Sequence, residues 1–484
     1  MLPLEYQHDG SSFLLHCLSF SGVVLAALLI HALRKGYQVR KKFKALEAQG
    51  ICTKCPPVAY IDTWLFTAPM VISLNLDVST QFTTQHSLPK AYEQKHTLYQ
   101  LTKNRDLASM EGEEWKIWRK RLNPAFSIQN INSRIIDILE EVEDFAAVLK
   151  SKAGDDGQWG DVFLFEKATT NLALDVIVRF FLMTPMIKER TRARQEDPTA
   201  KGKTLVDLVV QALQEEKAEQ SNTANEGKTQ PGLEFDTEFM DMAIGQMNTF
   251  LFAGFDTTAA TVAWLFRLLC QYPDVVAKLH DEHDAVLGTN AWAAANVIRE
   301  DPQLMNQLPY TLAILEESMR YHTNVGTMRR GEPGFFLVGP PGSDPGFDGK
   351  KLPTEGFIVW DGTWAVHRDP EIWHRPDEFL PERFIITDRE DPLFPPINGW
   401  RSFVSGPRNC IGQHLLVLEV KLVMALVTRY FDVEVTWEKW DRAKGTTNAK
   451  KAPTIWGDRC YQVGANALPR VKDSHDDVAA SLKP

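Results

Sequence analysis

The chain has 484 residues, 44% of them hydrophobic and 24% charged, enough to bury a large core. A formal net charge of −10 argues against nucleic acid as a partner, because phosphate binding needs a concentrated surplus of Lys and Arg. Six cysteines scattered at positions 17, 52, 55, 270, 410 and 460 argue against a disulfide framework and fit a reducing compartment.

Residues 11–33 read SSFLLHCLSFSGVVLAALLIHAL and carry no Lys, Arg, Asp or Glu. At a rise of about 1.5 Å per residue such a run can cross a hydrocarbon core. Only Glu5 and Asp9 precede it, whereas Arg34, Lys35, Arg40, Lys41, Lys42 and Lys44 follow. The positive-inside tendency then puts residues 1–10 in the lumen and the bulk of the chain in the cytosol. A cleaved signal peptide would carry its basic residues ahead of the apolar run, so a retained transmembrane signal anchor is favoured.

Residues 34–57 read as a basic linker ending in a proline hinge at Pro56 and Pro57, and residues 58–484 as one folded domain. Cys52 and Cys55 have redox or zinc spacing, but no second pair stands near them, so no site is assigned. VAYIDTW and VISLNLDVSTQFTT are rich in β-branched and aromatic residues and predict short strands, with helical periodicity from about Glu113. Between Met183 and Phe239 the chain turns polar around one helical patch, TLVDLVVQAL. From Phe239 to Gln271 a long apolar segment, too polar at Asp241 and Asp256 to span a bilayer comfortably, predicts the central helix of a core. His280 and His283 read as a solvated helix face, since their spacing is not that of a zinc helix. Beyond Asn324, Gly and Pro with short extended pieces predict a smaller β-rich region. The fold class expected is mainly α with a small β region.

The segment Phe403-Val-Ser-Gly406-Pro-Arg408-Asn-Cys410-Ile-Gly412 leads into the helical stretch QHLLVLEVKLVMALVTRYF. A cysteine in a glycine-punctuated loop ahead of a helix can offer a thiolate to a metal, its charge held by helix-terminal amides and a nearby Arg. Gly406 and Gly412 would let backbone approach a flat group closely. Within the long helix, Gly254 costs roughly 1 kcal/mol, and Asp256 and Thr257 put polar groups where packing prefers aliphatics, so function or packing must repay them. Glu317 and Arg320, three apart, would by themselves be a surface pair worth a few tenths of a kcal/mol.

The cysteine segment resembles the haem-binding loop of the cytochrome P-450 family, and nearly all of the chain after the apolar run is similar to its filamentous-fungal microsomal members. That resemblance implies a helical prism around one haem b, with Cys410 as axial ligand to the iron and Phe403, Gly406, Arg408 and Gly412 lining the cofactor. It implies that Arg408, with Trp115 and Arg119 of the W-x-x-x-R segment and Arg330 as a further candidate, faces the haem propionates. Asp256 and Thr257 would relay protons to dioxygen. Glu317, Arg320 and Arg383 of Pro381-Glu382-Arg383-Phe384 would form a buried structural network. The implied activity is insertion of one atom of dioxygen into a hydrophobic organic substrate at the endoplasmic reticulum membrane. The chain carries no G-x-G-x-x-G fingerprint, so electrons would come from a separate NADPH-dependent reductase. Lys116, Lys120 and Arg121 offer a basic surface for an acidic donor.

The stretch between Arg179 and Phe239 is short for the helices that roof such sites, and the residues just after Arg320 lack the usual proline, which points to unusual access or substrate shape. A haem-thiolate isomerase or lyase of peroxides, working without a reductase, and a non-catalytic haem-binding protein are the alternative readings. Relatives of the former kind tend to lose the acid and alcohol pair, which is intact here. A flavin monooxygenase is opposed by the missing dinucleotide fingerprint.

Overall fold

A computed structural model describes residues 10–48, 57–63, 67–155, 157–182, 237–323, 325–342 and 347–436, with a few short segments beyond. The chain divides into two compact units, one comprising residues 1–82 and 328–362 and the other residues 83–327 and 363–484. Cys52, Cys55, most of the span between Met183 and Phe239, and its TLVDLVVQAL patch lie outside the described residues.

In the first unit, helix α1 (Gly10–Ala48) contains the whole apolar run and continues through the basic stretch. Strands β1 (Val58–Ile61) and β2 (Met70–Ser73) are antiparallel. β2 also runs parallel to β7 (Ile358–Asp361), which pairs with β4 (Met328–Arg330), giving the order β1-β2-β7-β4. A hairpin of β5 (Phe336–Val338) and β6 (Lys351–Pro353) completes the expected β-rich region.

The strand expected over residues 71–84 stops at Ser73. Asn75 accepts hydrogen bonds from the amides of Asp77 (2.9 Å) and Val78 (3.2 Å) and so caps helix α2 (Leu76–Thr80), which runs on into a π-helical turn. The β-branched residues there are overruled by this cap and by Ser79, whose hydroxyl donates to Asp361 at 2.7 Å.

The second unit is helical, and helices begin at α3 (Tyr92–Thr102), earlier than the periodicity indicated. They continue with α4 (Gly112–Leu122), α5 (Ile128–Asn132), α6 (Ile135–Lys150), and α7 (Phe165–Leu182), which follows the short strand β3 (Phe163–Leu164). Next come α8 (Thr237–Gln271), α9 (Pro273–Leu287), α10 (Ala294–Glu300) and α11 (Pro309–Tyr321). After α12 (Thr363–Val366) and the cysteine loop follows α13 (Gln413–Tyr430). From Leu422 to Val427 every α13 side chain is fully buried, as befits a helix apolar all round.

α8 has the length and composition of a membrane span, yet its apolar window is 67% buried against the other helices. It is the central core helix that its two aspartates led one to expect. α8 packs most extensively on α7, and Gly254 lies in tight contact there: a Cβ on it would lie 2.6 Å from Ile177 Cδ1. Tight helix packing therefore repays at least part of the glycine's helical cost. Gly254→Val should destabilise the protein by about 1–3 kcal/mol through overpacking, and Ile177→Ala in the same chain should recover part of that loss. A denaturant double-mutant cycle reads the coupling.

His280 and His283 correct the expectation of a solvated face. His283 is fully buried and bonded to Thr311 Oγ1 (2.9 Å), while His280 Nε2 reaches the Thr428 carbonyl at 2.8 Å. Burial first, with Arg429, His280 and Lys421 adding to it, pushes the His283 imidazole down to about 3 and keeps it neutral. The face that looked polar by composition is the one α9 turns towards α11 and α13.

Candidate active site around Cys410

The Cys410 loop is built from turns that few residues tolerate. Val404 has φ +62°, a left-handed conformation unusual for a β-branched side chain and costing about 1–3 kcal/mol. Gly406 has φ +87°, and a Cβ there would collide with the Thr83 carbonyl oxygen. The Cys410 amide donates to the Phe403 carbonyl (2.9 Å), and the Asn409 amide to that of Gly406 (3.1 Å), so the loop closes on itself. Phe403 is buried, its ring edge-on to Trp400 at 5.6 Å.

Two arginines, Arg119 from α4 and Arg408 from the loop itself, tie this loop to α4 and the turn before it. Arg119 donates to the Asn409 carbonyl (3.0 Å) and Oδ1 (2.9 Å). Arg408 donates to Glu111 Oε2 (2.8 Å) and to the carbonyls of Met110 (2.7 Å) and Leu107 (3.3 Å), with its guanidinium 4.5 Å from the Trp115 ring centroid. Cys410, Arg408, Arg119 and Trp115, proposed from separate motifs, thus converge in space. Neither Glu111 nor Asn409 was singled out from sequence. Glu111 meets Arg408 across 297 positions and also accepts from the Lys90 amide at 2.6 Å, pairings that no local pattern announces.

By accessible surface Cys410 is exposed, yet burial is the largest influence on its thiol and pushes it up. Against burial act the Gly412 amide, the Arg119 guanidinium and the Gln413 amide, all of which favour the thiolate. Gly412 sits at the N-cap of α13 with an ordinary φ of −83°, and a Cβ on it would meet only Cys410 Sγ, at 3.9 Å. Neither backbone nor protein packing demands glycine there, but a flat group beside the sulfur would. Donor, charge and clearance all fit a haem iron.

On α8, Ala253 is exposed and Thr257 half-buried within a helix whose following residues 258–269 are buried. The Thr257 hydroxyl donates to the Ala253 carbonyl at 2.7 Å, a back-bond within the helix, and Asp256 is buried beside it. α8 packs on α13, the helix that leaves Cys410. Arg330 is exposed on β4 in the first unit, whereas its neighbour Arg329 is fully buried, as strand alternation requires.

Glu317, Arg320 and Arg383 meet in the core with essentially no exposure. Glu317 accepts from Arg320 (2.7 and 2.8 Å), Arg383 Nε (3.1 Å) and the Leu380 amide (2.8 Å). The surface pair that spacing alone favours is overruled, because α11 is buried on the side that carries both residues. Glu316 next to them is pushed up to about 7 by burial. A carboxyl raised above its unfolded value of 4.5 contributes stability that is full below about pH 4.5 and is lost as pH rises through about 7. Glu316→Gln should therefore flatten this fall and stabilise the protein by about 1–3 kcal/mol at pH 8, measured by denaturant melts at pH 5 and 8.

Residues 175–452 match the family profile described as cytochrome P450. The cytochrome P450 monooxygenase polC of Polytolypa hystricis is 30% identical over 458 residues, covering 84% of this chain and 78% of that protein. The cytochrome P450 monooxygenase acrF of Aspergillus aculeatus is 27% identical over 476 residues, 85% of this chain and 92% of its own. Human cytochrome P450 4Z1 is 32% identical over 186 residues, 38% of this chain and 33% of its own.

Proposed function

This chain belongs to the cytochrome P450 family and is a monooxygenase, and we propose that it inserts one atom of dioxygen into a hydrophobic secondary metabolite, drawing electrons from an NADPH-dependent reductase in the same membrane. The observation that carries this reading is the exposed Cys410 sulfur in a loop that Arg119 and Arg408 tie down, with the Gly412 and Gln413 amides and Arg119 favouring its thiolate. Haem b bound there would supply dioxygen activation, with donation from the thiolate favouring O–O cleavage.

The protein's own residues do the rest. Cys410 would hold the haem iron through its sulfur, and the clearance at Gly412 would leave room for a flat group beside it. Arg408, Arg119 and Trp115 would form the cationic edge for the propionates. Glu111 and the two carbonyls orient Arg408. Asp256 and Thr257 move protons into the site from α8, the Thr257 hydroxyl turning from the Ala253 carbonyl to do so. Residues 58–484 form the haem-binding part. Residues 11–33 anchor it to the endoplasmic reticulum membrane with the active site in the cytosol, supported by the exposed Leu28, Leu29, Ile30 and Leu33 on α1. Sharing a membrane raises the effective concentration of the reductase.

The test is turnover of a panel of apolar substrates by vesicle-bound protein with reductase, NADPH and isotopically labelled dioxygen. One labelled oxygen atom per product is expected, dependent on reductase. Thr257→Ala should divert several-fold more of the NADPH consumed into hydrogen peroxide. Product formation that needs neither reductase nor dioxygen would replace this reading with a peroxide isomerase or lyase.

A further inference from the structure

Three residues in a row ahead of the cysteine loop are tied to the end of α11 and its surroundings. Trp400 Nε1 donates to the Glu316 carbonyl (2.9 Å), Ser402 Oγ to that of Met319 (3.2 Å), and the Arg401 amide to His367 Nε2 (2.9 Å). Because Nε2 accepts, the neutral imidazole carries its proton on Nδ1, which donates to Thr323 Oγ1 at 2.8 Å. The His367 carbonyl meanwhile accepts from Arg320 (2.7 Å). Arg401 Nη2 reaches Thr83 Oγ1 (2.9 Å), and the Thr83 carbonyl is the group against which Gly406 packs. His367, Thr83 and Arg401 are buried to within 1% of full, and Thr323 stands where no proline follows α11.

We propose that His367 is a positioning residue that couples the buried Glu317–Arg320–Arg383 network to the cysteine loop, and that with Thr323, Arg401 and Thr83 it sets where the Cys410 sulfur stands. The strained turn at Val404 lies between Arg401 and Gly406, the two points that this clamp holds. A loop storing strain relaxes when one holding point is freed. The side chain that would move with it is Cys410, whose amide is bonded to Phe403 inside the same turn. Burial, then Arg320 and Arg401, push the His367 imidazole down to about 3, so it stays the neutral acceptor across the working pH range.

The inference rests on the haem-thiolate reading, and one experiment separates the two. The full-length holoprotein and the variants H367F, H367Q and T323V are reduced, exposed to carbon monoxide and scored for the red-shifted Soret band of a thiolate-ligated iron against the unshifted band. Wild type should be wholly shifted, and H367F should show a several-fold larger unshifted fraction at equal haem content. H367Q, whose amide oxygen can accept the Arg401 N–H, should recover most of the shifted band. A general loss of stability would not yield that rescue. T323V keeps the volume and removes one link, and it should convert from shifted to unshifted several-fold faster in dilute guanidinium. That decides the matter should H367F not fold. Wild-type band ratios in H367F, or wild-type conversion rates in T323V, would overturn the clamp, whereas an unshifted band in wild type would overturn the haem-thiolate reading itself.

Discussion

Cys410→Ala should leave a folded protein that shows no red-shifted Soret band with carbon monoxide and no reductase-supported turnover above background. The fold should survive, because the Cys410 side chain is exposed and the loop is held by its neighbours. Arg119 holds Asn409, Arg408 holds Met110, Leu107 and Glu111, and the turn closes through the amide of residue 410, which alanine retains. Removing the sulfur also removes the charge that, as a thiolate, favours the Arg119 cation, so the loop loses only that local attraction. Equal circular dichroism for the two proteins, together with the lost band, is the expected pair of results. A retained red-shifted band in the alanine variant would mean that another residue ligates the iron.

Replacing Glu317 with leucine should destabilise the protein by about 3–5 kcal/mol, because it strands two buried guanidinium groups. Against a typical total of roughly 5–15 kcal/mol, that is enough to deplete the folded, haem-loaded form at 37 °C. Arg320 uses all its N–H donors: two on Glu317 and one each on the carbonyls of His367, Pro376 and Glu378. It also stacks 5.2 Å from the Trp373 ring centroid, with Arg383 at 5.7 Å. A lysine at 320 could not serve five directions at once, so Arg320→Lys should recover little. Urea melts of the holoprotein, with haem content per chain as a second readout, measure both effects.

Much of the fold was legible because its signals are local. The apolar periodicity that marks α8 and α13, and the Gly- and Pro-rich change of texture beyond Asn324, depend only on neighbours a few positions apart. The cysteine segment fixes five residue types in ten positions, and that density made the family readable without any fold. Residues 74–84 misled for the same reason. Their composition favours strand, while the deciding interactions are the Asn75 cap and the bond from Ser79 to Asp361, 282 positions away.

By itself, then, the sequence determined the two core helices α8 and α13, the β-rich change beyond Asn324, the family and the candidate loop, because turn chemistry, periodicity and motif spacing act over short range. Only the tertiary structure decided whether charged groups face water or protein. It buried Glu317 and Arg320 instead of leaving them a surface pair, and it enclosed His283 on a face that looked solvated. It gave Arg408 the partner Glu111 and tied His367 to Arg401. The sign and size of an electrostatic interaction depend on desolvation and on partners brought together by the fold. Neither quantity exists in a linear chain until its helices pack.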